Sequence, residues 1–230
     1  MSKLVWDAIG EHLYETGTKK GVLYLQENGV YSNGVAWNGL TAVTETPEGA
    51  EPTDIYADDI KYLTLRSAEN FKCTIEAYTY PDEFAECDGS AMVVPGVKLG
   101  QQTRKSFGFS FVSTLGNDTD LNEHGYLIHL IYGCSASPSE RSYQTINDSP
   151  EAITFSWEVS TVPVAVGTIN GVDYKPVACL TIDSTKFTTE AQKAKLKAFE
   201  DKLYGTDAEG QNQGTAPQLP LPAQVITDLT

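Results

Sequence analysis

Apolar residues recur at every second position over much of this chain, the period of a strand that buries one face. Residues 60–66 (IKYLTLR) and 71–80 (FKCTIEAYTY) alternate in this way, the second placing Phe71, Cys73, Ile75 and Ala77 on one side. Phe107, Phe109 and Phe111 alternate with small residues, and Ile153, Phe155, Trp157 and Val159 alternate with Thr154, Ser156 and Glu158. Residues 126–132 (YLIHLIY) are apolar on both faces except at His129, as expected of a strand packed on each side. Residues 175–182 (KPVACLTI) supply another run, with Pro176 at a strand start or on an edge. Shorter runs at 22–25 and 35–37 lie among Asn28-Gly29, Asn33-Gly34 and Asn38-Gly39. Such pairs supply the two positive φ values of a tight hairpin turn.

The helical period appears twice. Val5, Ile9 and Leu13 fall on one side of a short amphipathic helix at the N-terminus. Residues 189–204 carry a stronger signal: Thr189 and Gln192 have capping-box spacing, Leu196, Phe199 and Leu203 share a stripe, and Gly205 follows as a stop. Residues 45–59 (ETPEGAEPTDIYADD) hold six acids, no base and two prolines, and read as a long exposed loop. Residues 206–230 are rich in Gly, Gln and Pro. The pattern predicts a mainly β fold (β-rich α+β): an antiparallel β-sandwich or open barrel with one flanking helix. It occupies one domain over residues 1–205, followed by a flexible or extended C-terminal arm over 206–230.

Charge narrows the function. With 31 acids against 16 bases the net charge is −15, which repels nucleic-acid phosphate and anionic lipid. No apolar stretch approaches the roughly 18 residues of a membrane span, and Asp7 interrupts any signal-peptide pattern at the N-terminus. The expected place of synthesis is therefore a cytoplasm. Cys73, Cys87, Cys134 and Cys179 are widely spaced with no CxxC pair, and read as small buried hydrophobes.

Candidate chemistry is sparse. No P-loop, GxGxxG, GxSxG or HExxH is present. His129 reads as a core or interface histidine and His124 as a solvated one. Asp118, Asp120 and Asn122 match the first three ligands of a calcium loop. Glu123 then replaces the required glycine and His129 the bidentate acid, which leaves a polar hairpin turn as the better reading. The acids Asp82, Glu83, Glu86 and Asp88 are numerous enough for a glycosidase pair, but numbers are not geometry, and a run of acids is usually a solvated face. No catalytic residue, metal or cofactor is expected.

Several longer strings then carry a resemblance: GVAWNGL (34–40), GAEPT (49–53), IYADDIKYL (55–63), TIEAYTYPDEFAECDGS (74–90), GQQTRKSFGF (100–109), GNDTD (116–120), HGY (124–126) and NDSPEAITFSWEVSTVPV (147–164). Over residues 6–204 the chain resembles the major tail protein, or tail-tube protein, of long-tailed bacteriophages and prophages of Gram-positive bacteria. The resemblance implies two packed antiparallel sheets with a helix on the flank, and six copies closed into a ring. Rings stack into a tube in the virion tail, made in the bacterial host cytoplasm. The implied partners are further copies of the chain, a tape-measure protein in the lumen, tail initiator and terminator proteins, and DNA in transit without specific binding; no membrane is involved. A long loop reaching the next ring corresponds to residues 45–59, with Pro47, Pro52, Ile55 and Tyr56 as contact candidates. The competing reading has Ile55 and Tyr56 pinning a solvated loop to its own domain. Glu45, Glu48, Glu51, Asp54, Asp58, Asp59, Asp82, Glu83, Glu86 and Asp88 are candidates for an acidic surface or lumen that DNA passes without sticking. Two other classes fit the residues: the inner tube of a contractile or secretion apparatus, and a β-sandwich carbohydrate-binding module with the tyrosines and tryptophans as a sugar platform, against which Trp6, Trp37 and Trp157 lie far apart in different elements.

Overall fold

The computed structural model describes residues 3–146, 148, 151–169, 171–208 and 213–230. Parts of two sequence readings, the string at 147–164 and the arm at 206–230, thus lie outside the described residues.

In chain order the first strands are β1 (Tyr14–Glu27), β2 (Val30–Trp37), β3 (Leu40–Glu45), β4 (Glu48–Gly49), β5 (Pro52–Ala57), β6 (Ile60–Arg66), β7 (Glu69–Asn70) and β8 (Lys72–Ala77). A 3-10 helix at Asp82–Glu86 precedes β9 (Ala91–Val94), β10 (Val97–Leu99), β11 (Phe107–Asn117) and β12 (Leu121–Ala136). Then come β13 (Phe155–Thr161), β14 (Gly167–Ile169), β15 (Val172–Tyr174), β16 (Cys179–Asp183), α1 (Glu190–Tyr204), β17 (Gln218–Leu219) and α2 (Pro222–Leu229).

The main sheet runs in the order β17-β2-β1-β11-β12-β13-β8-β3, with β16 also pairing to β12. Its named pairings are antiparallel. The fold is therefore mainly β with two flanking helices, one more than expected. Among the described residues β3 has no ladder to β1 or β2, so the sheet curls without closing into a barrel.

Both faces of the central strands are covered, because alternate side chains enter different cores. From β1, Leu23 points into a cluster with Trp37, Phe84, Phe107, Phe109, Ile131 and Trp157. Its neighbours Val22 and Tyr24 enter a second cluster with Ile128, Leu130, Tyr132, Leu196, Phe199 and Leu203. The first core lies inside the curl; the second lies beneath α1 and α2. This explains why residues 126–132 are apolar at nearly every position.

Gly133 makes the fork in β12. Before it Ile131 pairs with Cys179 of β16, and after it Cys134 pairs with Thr161 of β13. The glycine takes φ 59, and a Cβ there would stand 2.1 Å from the Val162 carbonyl oxygen. No side chain fits, and only glycine adopts this conformation cheaply.

Local signals succeed where the backbone decides. Asn28 and Gly29 take φ 52 and 80 in the β1–β2 turn, as a two-residue hairpin requires. Thr189 and Gln192 form the reciprocal capping box of α1, and Leu196, Phe199 and Leu203 are its buried stripe. Asn33-Gly34 instead falls inside β2 as an irregularity, opposite the step from Leu23 to Leu25. There the Gly34 N–H donates to the Pro217 carbonyl at 3.0 Å. Asn38-Gly39 links β2 to β3, which pair with different strands, so it turns a corner of the sheet and closes no hairpin.

Three further expectations change. Residues 5–13 form no helix, and Val5, Ile9 and Leu13 are exposed. Ile153 lies outside β13 and is also exposed. The C-terminal segment is no loose arm in its described part: Leu219 on β17 pairs with Tyr31, and Leu219 and Val225 of α2 are buried in the second core. The Tyr132 hydroxyl donates to the Pro220 carbonyl at 2.9 Å, fastening the segment down.

Candidate assembly surface

The β3–β8 ladder ends at Glu45 and Cys73, and between them the chain leaves the body. It pairs again as β4 with β7 and then as β5 with β6, turning at Asp58-Asp59 with φ 51 and 64. Positive φ at both positions is the geometry of a tight hairpin turn, which Asp tolerates. The expected acidic loop is thus the outgoing half of a two-stranded arm. Thirteen residues separate Glu45 from the tip, a reach of up to about 40 Å at strand rise.

Residues 60–66, expected in the sheet, form the returning strand, and every residue of β5 and β6 is exposed. The alternation is real but has no packing partner among the described residues. Thr53 pairs with Leu65, Ile55 with Leu63 and Ala57 with Ile60, so one face of the arm carries Ile55, Ala57, Ile60, Leu63 and Leu65. Ile60 is 65% exposed and Leu65 54%. The opposite face is polar: the Asp54 carboxylate accepts from Lys61 Nζ at 2.7 Å and from the Thr64 hydroxyl at 2.7 Å. Lys61 first and Thr64 second hold the Asp54 carboxyl below its usual range.

Of the four expected contact residues, Pro52 and Ile55 lie on the arm proper and Pro47 at its root. Tyr56 belongs to the face opposite Ile55 and is 67% exposed. Ile55 is 39% exposed, and neither it nor Tyr56 belongs to a core of its own domain.

The expected acidic residues separate into different environments. Glu45, Glu51, Asp58 and Asp59 are exposed along the arm and its root, as is Glu83 on the 3-10 helix. Glu48 pairs with Lys72 at 2.8 Å, Asp82 with Lys98 at 2.7 Å and Glu86 with Lys105 at 2.5 Å. Asp88 is no surface acid. Its side chain is 10% exposed and is bracketed by Arg141 and Arg104; a nearly buried carboxylate persists only with such partners. These three residues lie far apart in sequence, so spacing carries no sign of the cluster.

The remaining candidates for chemistry are structural. Burial pushes the thiols of Cys73 and Cys87 up to about 12 and that of Cys179 to about 11, far from the thiolate a nucleophile needs. His129 stacks on Phe111 with ring centroids 4.4 Å apart, and its Nε2 lies 2.8 Å from the Ser113 hydroxyl and 3.4 Å from Glu15. Its burial lowers the imidazole pKa, against the pull of Glu15 and Glu45. His124, expected in solvent, lies 3.1 Å from Asn117 Nδ2 and 3.2 Å from Asp120. The segment 117–123 forms the turn between β11 and β12, where Asp118 accepts from the Gly10 N–H at 3.0 Å. Among the described residues no group of three or more His, Cys, Asp or Glu is placed to hold a metal, and no helix is long and apolar enough to cross a membrane. The tryptophan platform for sugar is also corrected: Trp37 and Trp157 are 2% and 0% exposed and meet edge to face in the first core.

No family model matches the chain, and no curated protein matches it at a significant level. Among solved structures it is similar to a chain in the cryo-EM structure of the anti-feeding prophage (AFP) baseplate, 6-fold symmetrised. The alignment covers 79% of this chain and 97% of that one, at 10% identity and a TM-score of 0.35. A likeness this loose carries no argument about function.

Proposed function

We propose that this chain is a structural subunit that polymerises through the β5–β6 arm, and that its product is the tail tube of a long-tailed phage. One observation carries the first half: an amphipathic two-stranded arm whose apolar face is left uncovered by the described residues of its own chain. A lone hairpin is marginal in water, and an apolar face on a projecting element calls for a second surface. Charge on the opposite face and at the tip keeps the arm soluble until it docks. The tube itself rests on the sequence resemblance. In that reading six copies close into a ring, and the arm bridges successive rings. The exposed acids Glu45, Glu51, Asp58, Asp59 and Glu83 supply negative surface, which DNA passes without the counterion release that basic walls would provoke. The tape-measure, initiator and terminator proteins are the partners this reading calls for.

The test is sedimentation velocity and negative-stain electron microscopy over rising concentration, on the wild type and on Leu63→Asp/Leu65→Asp. Stacked rings or hollow tubes are expected from the wild type and monomers from the variant. A wild type that stays monomeric throughout, or a variant that assembles equally well, sinks the reading.

A further inference from the structure

A second uncovered apolar segment lies at the other end of the sequence. Leu4, Val5 and Trp6 are each more than 70% exposed. They precede an anchor at Gly10, whose N–H donates to Asp118 Oδ1 at 3.0 Å and whose carbonyl accepts from Asn117 Nδ2 at 3.2 Å. His12 adds a contact from Nδ1 to Asp118 at 3.1 Å. The segment is thus tied to the β11–β12 turn and projects beyond it.

A matching cavity lies elsewhere. Val166, Ile169, Tyr174, Val177, Pro222 and Ile226 line an open, mainly apolar groove of about 520 Å³ between the β14–β15 hairpin, β16 and α2. Lys175 stands on its wall and makes no ion pair among the described residues. Position along β12 separates the two features. The anchor is at the turn before Leu121, whereas the groove is level with Cys179, which pairs with Ile131. Ten residues of strand span roughly 33 Å. From Gly10, six extended residues reach about 20 Å to Leu4, and four reach about 14 Å to Trp6. The segment cannot fill the groove of its own chain.

We infer that Leu4 and Trp6 of one copy dock into the groove between α2 and the β14–β15 hairpin of a second copy. Asp7, 90% exposed at its side chain, follows Trp6 and meets Lys175, so charge and apolar surface match together. Because donor and acceptor lie at different ends of the subunit, the contact is head-to-tail and propagates. The inference rests on the self-assembly reading and adds a second joint, independent of the arm.

Two measurements test it. One population carries Trp6→Cys and another Tyr174→Cys, the latter at a groove-rim position 53% exposed; they are mixed under mild oxidation. A 6–174 crosslink is expected in the mixture and in neither population alone. In parallel, Leu4→Asp/Trp6→Asp, which touches no buried residue, raises the concentration needed for assembly at least tenfold, while its circular dichroism matches wild type. Absence of either result overturns the inference; if Leu63→Asp/Leu65→Asp still blocks assembly, the parent reading survives. A wild type that never leaves the monomer overturns both.

Discussion

Strand β11 and the β5–β6 arm carry the same kind of pattern and meet opposite fates. In β11, Phe107, Phe109 and Phe111 alternate with small residues and are nearly fully buried, and Val112 on the other face is buried as well. In the arm, Ile55, Leu63 and Leu65 alternate with polar residues just as regularly, and every residue is exposed. Period-two hydrophobicity therefore reports that a face wants covering; it does not report which chain supplies the cover. What distinguishes the two in sequence is their flanks. The arm has Pro47, Pro52 and a row of acids around it, whereas β11 leads through one polar turn into β12.

The comparison breaks most forcefully at the first core. Trp157 is fully buried and packs against Trp37, Tyr80, Phe84 and Phe155. Trp157→Ala should cost about 3–5 kcal/mol, since it leaves a cavity in a densely packed site. Urea unfolding of the monomer reads this as a large fall in midpoint with an unchanged slope. A loss under 1 kcal/mol would show that this core is far looser than its contacts imply.

Next in size is Gly133→Ala. A non-glycine residue in the left-handed region costs about 1–2 kcal/mol, and the Val162 carbonyl obstructs the new methyl in addition. The same unfolding measurement should show a loss of about 2 kcal/mol or more. Because Gly133 sits where β16 and β13 part, hydrogen exchange should quicken along both strands and leave the arm unchanged.

Much of the body was legible because short-range rules governed it. The Asn28-Gly29 turn, the Thr189–Gln192 capping box and the two-faced run at 126–132 each follow from local geometry. The misreadings share a different cause, that of partners distant in sequence. Asn33-Gly34 has the composition of a turn, but Pro217 and Tyr24 fix it as an irregularity inside β2. The spacing of Val5, Ile9 and Leu13 fits a helix, yet no surface among the described residues receives that stripe. Proline and glutamine dominate the composition of the C-terminal segment and mask its strand and helix. Pro222 at the first helical position followed by Gln224 was the available signal for α2. Of the candidate site, the location of the arm was legible, while its pairing and the Asp88–Arg104–Arg141 cluster depended on contacts across the fold.

A smaller effect tests the buried side of the comparison by pH. His129 has its pKa lowered by burial, so below the ordinary histidine value the unfolded chain binds a proton that the folded chain resists. Stability contributed by this group is therefore full above about 6.5 and is lost as pH falls from there toward the depressed folded value. Glu15 and Glu45 oppose the shift from nearby strands. His129→Gln should flatten the dependence of unfolding free energy on pH in that window, with the acid limb from carboxylates unchanged. Identical profiles for variant and wild type would place the imidazole in contact with water.

The smallest effect on the fold belongs to the arm, and its smallness is the point. Leu63 and Leu65 are exposed in the monomer and belong to neither core, so replacing both with aspartate disturbs little buried area. Surface substitutions of this kind usually lie within about 0.5 kcal/mol, against several for Trp157. In an assembled state the arithmetic reverses: fully burying each leucine contributes about 1.5–3 kcal/mol, and an aspartate there adds the cost of desolvating a charge. The double variant should match wild type in monomer unfolding and differ in self-association alone. A marked loss of monomer stability would mean that the arm folds back on its own body in solution, and that its apolar face serves the chain that carries it.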